Sequence, residues 1–304
     1  MSAGWVAGSV RGRLLLGRRL GRGPAFDLAQ AGGPGEALSL VAASPYGRDG
    51  DLPEDVAAAQ RAIADTLLLH LRLLAGWLPP AGVGVIRALA GWFEVVNIED
   101  RLAYLLGHEP AHPFELGSLS VSWPALSRAQ TPGDLRAGLA VTSWGDPGSE
   151  EPEDVHVSLR TAWARRVLAE VPEARSWAGG ALALLVAHAL AAGRTLRPEK
   201  LTPLLGEAWA EARTLTALAA SLPRSAAWVL AGCAEPDDLW RAEAAWWERV
   251  ERDAEELARG QREGRGAVVG VVALLAVDAR RASLAVGAAV RGGAVLDGGL
   301  DAPG

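Results

Sequence analysis

"GWFEVVNIEDRLAYLLGHE", residues 91–109, carries two stripes at once. Trp92, Val95, Ile98, Leu102 and Leu105 step by three and four, a spacing that gathers side chains on one face of an α-helix and scatters them over both faces of a strand. Beside them Glu94, Asn97, Arg101 and Tyr104 repeat the same steps, with Asn97 and Arg101 one helical turn apart. The apolar stripe is expected to face a core. The polar stripe is either a solvated flank or a seam that positions neighbouring lobes or meets a partner, and periodicity alone does not choose between them.

The same period runs through most of the chain. Alanine and leucine dominate and β-branched alternation is scarce, so the expected fold class is all-α, with helices near 3–20, 53–78, 82–107, 152–171, 173–193, 207–221, 236–259 and 267–291. "LPEDV" (52–56) and "EPEDV" (151–155) place a proline and acids in a first turn, where they complement the helix dipole. "WLPPAG" (77–82) and "EVPEAR" (170–175) each stop one helix and open the next, which predicts two antiparallel hairpins. Loops are expected at 21–35, 43–52, 107–134 and 144–153. The third is long enough to be functional or locally structured.

Composition narrows the function. A formal charge of −6 and a pI near 5.5 argue against nucleic acid as the main partner. Arginine outnumbers the single lysine, Lys200, as expected of a GC-rich coding bias, so its abundance is not itself a sign of phosphate recognition. The lone Cys233 fits a reducing compartment and reads as a small buried hydrophobe. "MSAGWVAGSVRGRLLLGRRL" breaks its apolar run at Arg11, Arg13, Arg18 and Arg19, so no targeting segment is expected and the protein is expected in the cytoplasm. The apolar stretches 178–193 and 266–277 fall short of the roughly 20 residues of a spanning helix. One holds His188 and the other is closed by Asp278, Arg280 and Arg281, so both are expected to be core helices and the chain is not expected to span a membrane.

Catalytic motifs are thin. "HEPAH" (108–112) satisfies the zinc-peptidase string, which needs His108 and His112 on one helical face and Glu109 beside the metal-bound water. Pro110 sits inside the motif and Pro113 follows it, so the segment is expected just past a helix end. "GRGAVVG" (264–270) lacks the preceding strand of a dinucleotide fingerprint, and neither a Walker A string nor G-x-S-x-G occurs. No catalytic residue, metal, cofactor or small-molecule substrate is therefore expected. Twelve tryptophans against three Phe and two Tyr are read as core fillers first and interface anchors second. In "DLWRAEAAWWERVERD" (238–253), Trp240, Trp247 and Val250 share a face.

Three segments align loosely: "GWVAGSVRGRLLLGRRLG" from Gly4, "GWFEVVNIEDRLAYLLG" from Gly91 and "GVVALLAVDARRASLAV" from Gly270. Copies this widely spaced predict three helical lobes rather than a short-period solenoid. An aromatic-led helix ending "WFEVVNIEDRLAYLLG", followed by a loop with "ELGSL" (115–119), resembles the C-subunit family of V-type ATPases, relatives of the eukaryotic d-type subunits. "WVAGSVRGRLL" (5–15), "EALSLVAASPYGR" (36–48) and "VVGVVALLAVDARRASLAVGAAVRGG" (268–293) are similar to the family's opening helix, following short helix and last long helix. The chain departs from the family in having Glu99 or Asp100 for the lysine of Asn-Leu-Lys, the later arginine displaced to Arg101, and no tyrosines in the opening helix.

The resemblance implies a funnel-like, pseudo-threefold array of lobes at about 1–106, 107–205 and 206–293, and the tail at 294–304 is expected to be frayed. It further implies a non-catalytic rotor socket, peripheral to the inner face of the cell membrane, between the central-stalk subunits and the proteolipid ring. On that reading the interface residues are Glu94, Asn97 and Arg101 with Arg11, Arg13, Arg280 and Arg281. A diverged helical scaffold outside any rotary ATPase is the alternative, and a hydrolase using His108, Glu109 and His112 the more distant rival.

Overall fold

Helix is the only regular structure in the computed structural model, which describes residues 3–47, 53–260 and 263–291. Among the described residues there are fourteen α-helices and no strand, so the chain is all-α. In order they are α1 (Ala3–Leu16), α2 (Arg22–Ala29), α3 (Pro34–Ala42), α4 (Val56–Ala75), α5 (Pro80–Leu105), α6 (Trp123–Leu126), α7 (Pro132–Ala140), α8 (Pro152–Glu170), α9 (Arg175–Ala191), α10 (Pro198–Leu205), α11 (Leu215–Ser221), α12 (Arg224–Ala227), α13 (Leu239–Gly260) and α14 (Arg265–Val290). Seven of the eight expected helices appear at nearly their expected limits; the one expected at 207–221 shrinks to α11. Short helices α2 and α3 replace much of the loop expected at 21–35. Neither has the length to reveal an amphipathic period, and both gain their stability by packing on α14.

The string "PEDV" occurs twice and shows how local chemistry sets a helix start. In the copy at 152–155 Pro152 occupies the first turn of α8, with Glu153 and Asp154 behind it, as expected. In the copy at 53–56 Pro53 and Glu54 precede α4, and Asp55 is the N-cap, its carboxylate accepting from Ala58 N at 2.7 Å. Thr131 caps α7 in a reciprocal box with Asp134, and Thr214 caps α11.

The chain divides into two compact units, Met1–Gly82 with Glu243–Gly304, and Val83–Ala242. In the first, α14 is buried along most of its length and contacts α1, α2, α3 and α4. Leu28, Val41 and Ile63 close on Ala282 and Val286 of α14 to form the core. Each of the leucine, valine and isoleucine side chains is worth about 1.5–3 kcal/mol when fully removed from water. Glycine sets the closest approach: a Cβ on Gly270 would lie 2.6 Å from the Ala254 carbonyl oxygen of α13, nearer than atoms can sit.

In the second unit Val95, Ile98 and Leu102 of α5 pack with Leu126, Leu135, Leu139, Trp144, Val155 and Leu159. A three-residue 3-10 turn, Pro172–Ala174, folds α9 back along α8, the hairpin expected at "EVPEAR". By length and apolar composition Pro80–Leu105 and Pro172–Ala191 could each cross a membrane, and more than half of each apolar window is buried inside the protein. The expected tail at 294–304 lies outside the described residues.

Candidate functional site

α5 holds the long loop that follows it, and its polar stripe is the means. Glu94 is 0% exposed, and its carboxylate accepts the backbone N–H groups of Val121, Ser122 and Trp123 at 2.7, 2.5 and 2.7 Å. One turn on, Asn97, also 0% exposed, treats Phe114 as a strand would treat its neighbour. Its Nδ2 donates to the Phe114 carbonyl at 2.9 Å, and its Oδ1 accepts from Phe114 N at 2.7 Å. The next member, Arg101, donates to the Ala129 carbonyl and lies 5.0 Å from the centre of the Tyr104 ring. Three residues on one helical face thus bind a loop at 114, 121–123 and 129. The Phe93 and Phe114 rings, edge to face at 5.0 Å, add to the attachment, and Leu116 and Leu119 of the loop are buried. Buried backbone groups must find partners, and a loop without strand or long helix finds them here in side chains.

Glu94 and Asn97 therefore act on the loop, and any interface role they have is one of positioning. The same holds for Arg281, which is buried and donates to Glu251 at 2.9 Å, while Arg22 reaches the same carboxylate oxygen at 2.7 Å. Burial alone would raise the Glu251 pKa, but the two guanidinium groups outweigh it and hold the carboxyl below its ordinary value. Arg280 lies 4.7 Å from the centre of the Trp247 ring. Arg13 is exposed, and Arg11 is half-buried with its Nε lacking a partner.

A second flank of α5 meets α8. Glu99 accepts from Arg160 and lies 3.2 Å from His156 Nδ1; these hydrogen bonds overcome the effect of burial and lower its pKa. The Arg160 guanidinium also sits 4.7 Å from the ring centre of Trp92, which meets Trp163 edge-on at 5.7 Å. Spacing alone puts Trp92 in the buried stripe; it is 40% exposed, and these two contacts cover only part of it. The tryptophans as a class divide: Trp144, Trp177 and Trp209 are buried, whereas Trp77 and Trp240 are exposed. Within α13 Trp240 is exposed while Val250 is in the core.

Asp278 and its partners are what sequence reasoning missed. Buried in α14, its carboxylate accepts from Leu20 N and Gly21 N, both at 2.8 Å, and from the Tyr46 hydroxyl at 2.7 Å. Burial, and then the charge of Asp278, raise the Tyr46 pKa, so the hydroxyl stays a donor. The available signal was the one carboxylate of α14, placed at the end of its apolar run, a group that must be paired if buried.

The remaining motifs gather no chemistry. His108, Glu109 and His112 are exposed in a non-helical segment, so the two histidines do not share a helical face. No group of three or more His, Cys, Asp or Glu side chains is placed to hold a metal ion among the described residues. Cys233 is buried, and burial followed by the charge of Asp238 raises its pKa away from thiolate reactivity. No protein-family model matches the chain, and no curated protein matches it.

Proposed function

We propose that this protein is a non-catalytic helical socket of a V-type rotary ATPase, linking the central stalk to the membrane proteolipid ring. The observation that carries this reading is the joining of the two blocks on which the resemblance rests. "WFEVVNIEDRLAYLLG" covers the second half of α5 and its end, and "ELGSL" begins directly after Phe114, the residue that Asn97 binds through both backbone groups. Arg87 of the same helix donates to the Ser118 carbonyl at 3.0 Å, within "ELGSL" itself. The two blocks are thus fastened together by hydrogen bonds rather than being neighbours in sequence alone. A torque-transmitting part needs segments tied together in this way, and two buried carboxylates hold backbone: Glu94 fixes a loop and Asp278 fixes the segment after α1. The funnel of three pseudo-threefold lobes is part of this proposal.

Gentle detergent purification of the tagged full chain from its native membranes, followed by mass spectrometry, tests it. Recovery of the catalytic and central-stalk components of a V-type ATPase with a proteolipid is the expected result. Recovery of none of them from cells that express them would overturn the reading and favour the diverged scaffold.

A further inference from the structure

α4 presents large apolar side chains to solvent. Leu69 and Leu73 are 42% and 39% exposed, one turn apart. Gly76 keeps helical backbone angles (φ −63, ψ −17), and Trp77 N donates to the Leu74 carbonyl, so Trp77, 54% exposed, extends the line by another turn. The result is an apolar ridge with the steps i, i+4 and i+8 on the outer side of a helix whose other side is core. On the adjoining α1, Leu14 is 61% exposed.

Positive charge borders this ridge. α1 packs against α4, and Arg11 and Arg18 lie close enough to His70 to add to the effect of its burial in lowering its pKa. Arg13 and Arg18 are exposed, and neither these nor Arg11 has a carboxylate partner among the described residues. Although the chain is net negative, it has no Asp or Glu before Asp27 and none between Asp65 and Glu94. The segments forming α1 and the C-terminal half of α4 therefore carry no carboxylate that an anionic surface would repel.

We propose that the ridge Leu69, Leu73 and Trp77, with Arg11 and Arg18 beside it, binds the surface of a bilayer containing anionic lipids. A convex ridge needs no matching pocket when its partner is fluid, and leucine and tryptophan favour the boundary between headgroups and acyl chains. The long arginine side chains reach outward to lipid phosphates while their stems cover apolar surface. The inference does not rest on the rotary-ATPase reading.

The test is co-sedimentation of the purified full chain with vesicles of phosphatidylcholine alone, or with about one third phosphatidylglycerol. Binding to the anionic vesicles only, weakened by added salt, is expected. Arg18→Gln is expected to weaken it about fivefold, and Leu73→Ser with Trp77→Ser by at least about tenfold. All three positions are exposed, so these variants are expected to fold, as circular dichroism would verify. No binding to anionic vesicles, or equal binding by the apolar double variant, overturns the proposal. If vesicles fail to bind but the double variant loses a co-purifying protein, the ridge belongs to that protein. Vesicle binding without recovery of ATPase components would leave this inference standing and the socket reading overturned.

Discussion

Asn97 and Phe114 exchange two hydrogen bonds across seventeen residues of sequence, the side chain of one completing both backbone groups of the other. Asn97→Ala leaves a buried N–H and a buried carbonyl without partners, a cost of roughly 2–5 kcal/mol. A lowered denaturant midpoint with helical content kept in the absence of denaturant is expected. Wild-type stability in Asn97→Ala would show that the loop finds other partners.

Glu94→Gln tests the charge separately from the shape. The amide keeps one acceptor oxygen but turns an NH2 group toward N–H donors that the carboxylate now accepts. A loss of about 2–4 kcal/mol is expected, with faster proteolysis inside residues 107–131 measured by limited digestion. Should cleavage of that segment stay at the wild-type rate, Glu94 is not what holds it.

Acid should loosen both units. Glu251 and Glu99 have folded-state pKa values below their ordinary 4.5, so the unfolded chain takes up protons first as pH falls. The stability they contribute is complete above that ordinary value and is lost as pH falls through the lower folded values. Thermal midpoints measured from neutral pH down to about 3 are expected to hold and then drop below the ordinary glutamate range. In Glu251→Gln the drop should be shallower, because one of the titrating groups is gone.

Gly270 lets α14 lie against α13. Besides the Ala254 oxygen, a Cβ there would stand 2.8 Å from Ala258 N, and neither obstacle is a side chain that can swing aside. Gly270→Ala is expected to cost about 1–3 kcal/mol despite alanine's better helix propensity. Gly84→Ala, within α5 with open space at the Cβ, is the control and is expected to be neutral or stabilising. The two variants compared by thermal unfolding separate close approach from propensity.

Helix positions were legible because their causes lie within a few residues. The steps of Val95, Ile98 and Leu102, the proline at the start of α8 and the turn at "EVPEAR" act over one or two turns of chain. The Glu94, Asn97 and Arg101 stripe could be read from its spacing as well. Its burial could not, because a polar face is covered only if a distant segment has unpaired backbone to offer, and residues 107–131 supply it. Trp92 went the other way: its place in an apolar stripe did not ensure burial, since neighbours cover the helix unevenly.

Asp278 marks the limit most clearly. Its charge was visible as a break in an apolar run, but its partners, at Leu20, Gly21 and Tyr46, are more than 230 residues away. Periodicity is a property of neighbours along the chain, whereas pairing a buried carboxylate depends on which donors the fold brings to it. Local spacing was enough for an all-α protein with these long helices. Which charges became internal fastenings, and which apolar residues stayed on the surface, was decided only when the helices packed.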